Sequence, residues 1–233
     1  MPVTLPDAFK ALVVGASGAL GQAFVQQLAG LPGCVEVVGV SRATHPGFDL
    51  EDPASVERLG QALATRGPFH LIVDATGALT IDGVGPEKSL AMLQSAALQR
   101  TLAVNTIGPA LLLRALAPLL AKGDAVYAKL SARVGSISDN RKGGWYGYRA
   151  AKAALNMVLQ TAALELQRRQ PQLRVVALQP GTVRSALSRP FEAGVSNLLD
   201  PQVSVAGMVQ ALLQLSPKSG AWFIDYQGRE IPW

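Results

Sequence analysis

Tyr148 and Lys152 stand four residues apart in GGWYGYRAAKAALNM. On a helix that spacing puts both side chains on one face, about one turn from each other. A phenol ordinarily titrates near ~10, too high for ready proton exchange at neutral pH. An ammonium beside it favours the phenolate and draws the phenol toward the range useful for acid–base work. The pair is expected to move a proton. Tyr127, Tyr146 and Tyr226 have no lysine four residues on, and in a chain with four tyrosines the spacing alone is a weak signal. Its weight comes from the rest of the chain.

The second chemical element is near the start. In FKALVVGASGALGQAFVQQLAG an apolar strand (11–14) runs into a glycine turn and then a helix with Leu20, Phe24 and Leu28 on one face. Gly15, Gly18 and Gly21 make the pattern GxxGxxG, a variant of the GxGxxG dinucleotide fingerprint in the same strand–turn–helix setting. Glycines there let backbone approach a pyrophosphate, and the helix start offers free N–H groups and a positive dipole end. Ser17 adds a hydroxyl donor.

These two elements need a frame that brings them together. Short segments apolar on both faces recur at 11–14, 35–40, 69–74, 124–130, 173–178 and 221–225, with helical patterns between nearly all of them. Such alternation predicts one parallel sheet covered by helices on both faces. SRATHPGFDLED leaves no room for a helix after the second strand, so a short third strand is expected at 45–50. Asp52 then caps a helix that Pro53 begins and that runs to Arg66. The expected architecture is a single doubly wound Rossmann-type domain over 1–233, with about seven strands in the order 3-2-1-4-5-6-7. The strand ends carry Asp74-Ala75-Thr76-Gly77, Ser131-Ala132-Arg133-Val134-Gly135-Ser136 and Pro180-Gly181-Thr182-Val183, and Asn105 is polar in an apolar helical run. In a parallel sheet these ends share one edge, where ligands bind.

Composition narrows the function classes. The 233 residues are 49% hydrophobic and 16% charged, which suits one well-buried domain. MPVTLPDAFK lacks a basic-then-apolar leader, and Asn105 and Arg114 interrupt the most apolar stretch (101–121), so no membrane span is expected. Cys34 is the single cysteine, which fits a reducing cytoplasm, and with His45 and His70 in unrelated segments no metal site is expected. The net charge of +5 is spread out, without the interleaved aromatics of a nucleic-acid platform. It suits an anionic small molecule instead.

The joint order of glycine turn, D-A-T-G, helix asparagine, serine region, Y-x-x-x-K and P-G resembles the short-chain dehydrogenase/reductase family over essentially the whole chain. LSARVGSISDN, GGWYGYRAAKAALN and the final DYQGREIPW look most like its C-factor and carbonyl-reductase-like branch. The resemblance implies interconversion of a carbonyl and an alcohol with NAD(P), or, as the C-factor kinship allows, a cofactor-binding signalling protein with little turnover. It implies that Tyr148 gives the proton, Lys152 holds the nicotinamide ribose and lowers the phenol, and Asn105 holds a helix irregularity and a water leading to Lys152. It implies cofactor contacts from Gly15, Ser17, Gly18, Leu20 and Gly21, from Ser41, Arg42 and Asp49, from Ala75, Gly77, Asn105, Tyr148 and Lys152, and from Pro180, Gly181 and Val183. A substrate loop is expected at about 184–200, and a homodimer or homotetramer through the long helices around Asn105 and Asn156.

Two positions depart from the family pattern. The family serine sits three residues before the glycine that here is Gly135, and that position is Ala132. Ser136 could reach a substrate carbonyl from the loop; Ser131 should face the other way on a regular strand. Arg184 occupies a substrate-side loop, either for an anionic substrate or as a solvated arginine. For the cofactor, NADP is expected over NAD. An acid for the ribose 2′-OH belongs about 20 residues past the last glycine. There the chain has Ser41 and Arg42 instead, and Arg42 suits a 2′-phosphate.

Overall fold

The structure is a computed structural model that describes residues 1–185, 188–189 and 197–233. Its centre is a six-stranded sheet of β1 (Phe9–Val14), β2 (Cys34–Val40), β3 (Leu71–Asp74), β4 (Ala125–Leu130), β5 (Leu173–Gln179) and β8 (Trp222–Asp225). The order is β2-β1-β3-β4-β5-β8 and every neighbouring pair is parallel. β3, β4 and nearly all of β5 are buried along their length, as strands sandwiched between two helical layers must be. On one face α1 (Ala19–Ala29) and α6 (Pro201–Gln214) complete a core with Phe24, Leu28, Met208 and Leu212. On the other lie α2 (Pro53–Leu63), α3 (Ser95–Leu102), α4 (Gly108–Leu116) and α5 (Tyr146–Leu166). A separate parallel pair, β6 (Thr182–Val183) and β7 (Leu198–Leu199), brackets the expected substrate loop, most of which lies outside the described residues.

The expected third strand is absent. Residues 45–50 form no strand, so the sheet has six strands and β2 is its edge. Pro46 has no N–H to give a ladder, Gly47 sits at φ 84, and the chain turns through Phe48 N–H to the His45 carbonyl. Phe48 and Leu50 still pack on the core, and Leu50 lies against the start of α4 at Gly108. No helix joins β2 to the next element, as expected. Asp52 caps α2 by accepting the Ala54 N–H at 2.9 Å, and the helix ends at Leu63, short of Arg66.

The apolar stretch after β3 behaves differently from the reading that Asn105 and Arg114 break it. α3, a π-helical turn at Ala103–Ile107, α4 and a short 3₁₀ turn make one helical run, 95–119, long and apolar enough by composition to cross a bilayer. Its apolar side is instead spent in the core, where Leu112, Leu113 and Leu116 pack with Leu59 and Leu63 of α2 and Leu155 and Leu159 of α5.

Candidate active site

The glycine turn is shaped by close approach. Gly15 has φ 85, and a Cβ on it would stand 3.0 Å from the Ala75 carbonyl carbon, so the β1–α1 turn touches the loop after β3. A Cβ on Gly21 would lie 2.1 Å from the Gly15 carbonyl oxygen; only glycine lets α1 start this near the turn. Gly18 is the N-cap of α1 and no side chain caps that end. Ser17 and Gly18 are exposed and Leu20 is partly buried beneath them. The open N–H groups of this helix start can hold an anion.

At the tip of β2 the Ser41 N–H donates to Thr44 Oγ1 at 2.9 Å, and the His45 N–H donates to the Ser41 carbonyl at 2.8 Å. This small turn leaves Arg42 exposed, with no hydrogen bond or ion pair among the described residues. Asp49 is exposed further along and accepts the Glu51 N–H at 3.0 Å.

Tyr148 and Lys152 share one face of α5. The Lys152 ammonium is 5.6 Å from the Tyr148 ring centroid and donates to the Leu130 carbonyl at 3.1 Å. Burial pulls Lys152 down from its ordinary 10.5 to about 7; the charge of Lys129 pushes the same way and Asp74 opposes. Burial pushes the Tyr148 phenol up, not down. This direction is opposite to the expected lowering of the phenol by Lys152, and burial is its cause.

Asn105 is fully buried within the π-helical turn. Its Oδ1 accepts the Ala78 N–H at 3.1 Å, and its Nδ2 donates to the carbonyls of Ala78 (2.9 Å) and Thr101 (3.2 Å). The extra residue of a π turn frees backbone groups for such partners. Thr106 ties the same turn to α5 through a 2.8 Å bond to the Ala151 carbonyl. Gly77, at φ 134, lies between: a Cβ there would be 3.1 Å from Asn105 Oδ1 and 3.6 Å from Lys152 Nζ. Asn105, Gly77, Lys152 and Tyr148 thus form one cluster at the C-terminal edge of the sheet.

Of the two candidate serines, Ser131 gives its hydroxyl proton to another side chain and Ser136 is seen only as an acceptor. Ser131 donates to Asn156 Oδ1 of α5 at 2.7 Å, and Ser136, 1% exposed, accepts the Asp139 N–H at 3.0 Å. Beyond β5, Pro180 accepts the Ser204 hydroxyl, Gly181 sits at φ 78 against Leu199, and Val183 is buried in β6. Arg184 pairs with Asp200 at 3.5 Å, both well exposed, which fits the solvated reading.

Two features escaped the sequence reading. Lys129 of β4 is fully buried and bonds Asp74 Oδ1 at 3.0 Å, the Thr76 carbonyl at 2.6 Å and Thr76 Oγ1 at 3.1 Å. Its only signal was a lysine in a strand read as apolar on both faces. Glu87, buried in the β3–α3 loop, accepts the Gly147 N–H at 2.9 Å in the first turn of α5. A cavity of about 210 Å³ opens beside Tyr148, walled by that loop and α3, with Leu79, Val84, Glu87, Ala97 and Arg100 among its lining.

This arrangement has counterparts. The short chain dehydrogenase family model matches residues 10–195. The 1-hydroxy-2-glutathionyl-2-methyl-3-butene dehydrogenase of Rhodococcus sp. (strain AD45) is 29% identical over 95% of this chain and 98% of its own. The C-signal of Myxococcus xanthus is 32% identical over 72% of this chain and 94% of its own. A short-chain dehydrogenase/reductase structure from Burkholderia multivorans with bound NADP superposes with a TM-score of 0.81 at 25% identity, covering 97% of this chain and all of that one. With the family model spanning most of the sheet and both halves of the site, the chain belongs to the short-chain dehydrogenase/reductase family of oxidoreductases.

Proposed function

We propose that the protein is an NADP-dependent oxidoreductase that interconverts a small carbonyl compound and its alcohol, with Tyr148 as the proton donor. The observation that carries this reading is the cluster of Tyr148, Lys152, Gly77 and Asn105 at the same sheet edge as the uncapped start of α1. The cradle fits a dinucleotide: Gly15 and Gly21 let the turn, the start of α1 and the loop after β3 close up on one another, and the exposed α1 N–H groups beside them lack a side-chain cap among the described residues. Arg42, at the β2 tip, exposed and without a partner among the described residues, would hold a 2′-phosphate. The bound cofactor would supply the hydride.

The chain's own residues supply the proton and the alignment. A phenol pushed up by burial stays protonated at neutral pH, so Tyr148 donates to a carbonyl oxygen more readily than it takes a proton from an alcohol. That favours carbonyl reduction at neutral pH, with alcohol oxidation gaining as pH rises. Lys152 would hold the ribose hydroxyls from beneath, and Asn105 fixes the loop that covers it. NADPH oxidation across a panel of aliphatic and aromatic aldehydes and ketones tests the proposal; tight NADPH binding with no oxidation of any of them overturns it.

A second reading, a cofactor-binding signalling protein with little turnover, is favoured by one observation. Ala132 stands where the family pattern has serine, while Ser131 spends its hydroxyl proton on Asn156 and Ser136 is 1% exposed. Loss of a carbonyl-binding donor costs about 3 kcal/mol of barrier. The same panel separates the two readings, since the second expects binding without turnover.

A further inference from the structure

A lysine buried among apolar strands is costly unless its charge is fully partnered, and a partnered one is fixed in place. Lys129 is partnered almost entirely by one short segment. Asp74 lies directly opposite it in the β3–β4 ladder, and Thr76 gives it both a carbonyl and a hydroxyl. Thr76 itself folds back on Asp74, its hydroxyl donating to Oδ1 at 2.6 Å and its N–H at 2.9 Å. The next residue, Gly77, is the one that lies against Asn105 and Lys152. One ammonium thus anchors the turn that roofs the second ammonium. Asp74 Oδ2 is buried with no hydrogen-bond partner among the described residues, so the carboxylate serving this cluster is not saturated by them.

We propose that Lys129 is a positioning residue for the Lys152 site: it pins the Thr76–Gly77 turn over Lys152 and, with Asp74, governs the charge that Lys152 carries. The inference rests on the reading of Lys152 as the cofactor-holding amine. Two buried cations and one carboxylate cannot all be satisfied alike, and the cation without the carboxylate contact is the one that yields its proton. Lys129 holds Asp74 at 3.0 Å, whereas among the described residues Lys152 donates to the Leu130 carbonyl and pairs with no carboxylate. The electrostatics agree, with Lys129 opposing the charge on Lys152 more strongly than Asp74 supports it.

The other ionisable groups around Lys152 are turned to partners of their own. On its own helix, Tyr148 is un-ionised and Arg149 donates to the Gly143 and Gly144 carbonyls. Glu87 takes the Gly147 N–H, and Arg133, from the turn before α5, faces Asp139 and Asp225. Arg100 of α3 binds Glu51 and Asp82, Arg114 of α4 faces Glu57, and Arg174 of β5 binds Asp124. Asp74 and Lys129 are left as the charges that decide the state of Lys152.

The test is a lysine-selective ¹³C NMR pH titration of the cofactor-free protein, the Lys152 resonance being assigned by its loss in Lys152→Met. In Lys129→Met the Lys152 midpoint should rise by about one pH unit or more, because a like charge is gone and Asp74 remains. In Lys129→Met/Asp74→Asn, which removes the ammonium and its carboxylate together, it should rise by less. The order wild type, double variant, single variant is not one that mere loosening of the fold would produce. Should the single variant fail to fold, the double variant decides: a midpoint above wild type supports the electrostatic role, and one at or below it overturns that role. A second arm measures NADPH binding by fluorescence at about pH 6, where Lys152 is charged in every variant. The double variant should bind roughly 5- to 20-fold more weakly, as expected when one or two anchoring hydrogen bonds are lost, and equal binding overturns the positioning role. A protein with the expected order of midpoints that binds no NADPH loses the proposed function and keeps this electrostatic inference. One that binds NADPH with unmoved midpoints does the reverse.

Discussion

Gly135 is pressed against the backbone of Lys152: a Cβ at position 135 would stand 2.9 Å from the Lys152 carbonyl carbon and 2.9 Å from its Cβ. The turn after β4 therefore seats α5 at the residue whose amine is proposed to hold the cofactor. Gly135→Ala must push α5 outward, and forced overpacking of this kind costs about 1–3 kcal/mol. Urea unfolding should show that loss, with turnover falling further than stability alone explains. An unchanged midpoint would mean that the helix seats itself by other contacts.

Tyr148→Phe should keep the fold and NADPH affinity while lowering turnover at least ~100-fold, since only the hydroxyl is removed and the ring still packs beside Trp145. Steady-state rates with an aldehyde that the wild type reduces, alongside a fluorescence titration, check both halves. Comparable turnover would remove Tyr148 from the chemistry.

Arg42→Ala should erase much of any preference for NADPH over NADH. A charge-assisted phosphate contact is worth about 1.5–3 kcal/mol, so the ratio of affinities should fall by about 10- to 150-fold. NADH affinity should scarcely move, and added salt should narrow the wild-type preference because the site is open to water. Equal weakening for both cofactors would make Arg42 structural.

Stability of the cofactor-free protein should increase with pH between about 7 and 10. Lys152 titrates at about 7 in the fold and returns to 10.5 when unfolded, so in that window the unfolded chain binds the extra proton. Unfolding free energy then rises with pH, and below about 7 this group contributes no slope because it is charged in both states. Lys129, also lowered by burial, acts in the same sense. Thermal melts at pH 7 and at about pH 9 should show the rise, and it should shrink in Lys152→Met. A variant with an unaltered slope would assign the effect to other groups.

Most of the strands were legible because a buried parallel strand is written as a short apolar run, and the ends of β1 to β5 fell within a few residues of the expected ones. Asn105 was legible for the opposite reason, as a polar residue in an apolar helix, although the π-helical form of its turn was not. The third strand failed because apolar Phe48 and Leu50 are also what a loop needs to pack on a core, and Pro46 and Gly47 decide between the two. The Lys129–Asp74 pair depends on the register of β3 against β4, a contact between residues 55 apart in the chain. The direction of the Tyr148 shift was hidden for a related reason: spacing shows the neighbouring lysine and says nothing of how much water is excluded around it.

The bond from Glu87 to the Gly147 N–H spans 60 residues and joins the wall of the cavity to the first turn of α5, one residue before Tyr148. The Trp145 N–H, donated to the Glu87 carbonyl, doubles that joint. A molecule that strains the wall therefore strains Tyr148, the proposed proton donor, with it. Poorly fitting molecules would be rejected in the speed of conversion more than in the strength of their capture. Selectivity among candidates should accordingly be sought in kcat, with KM left comparatively flat.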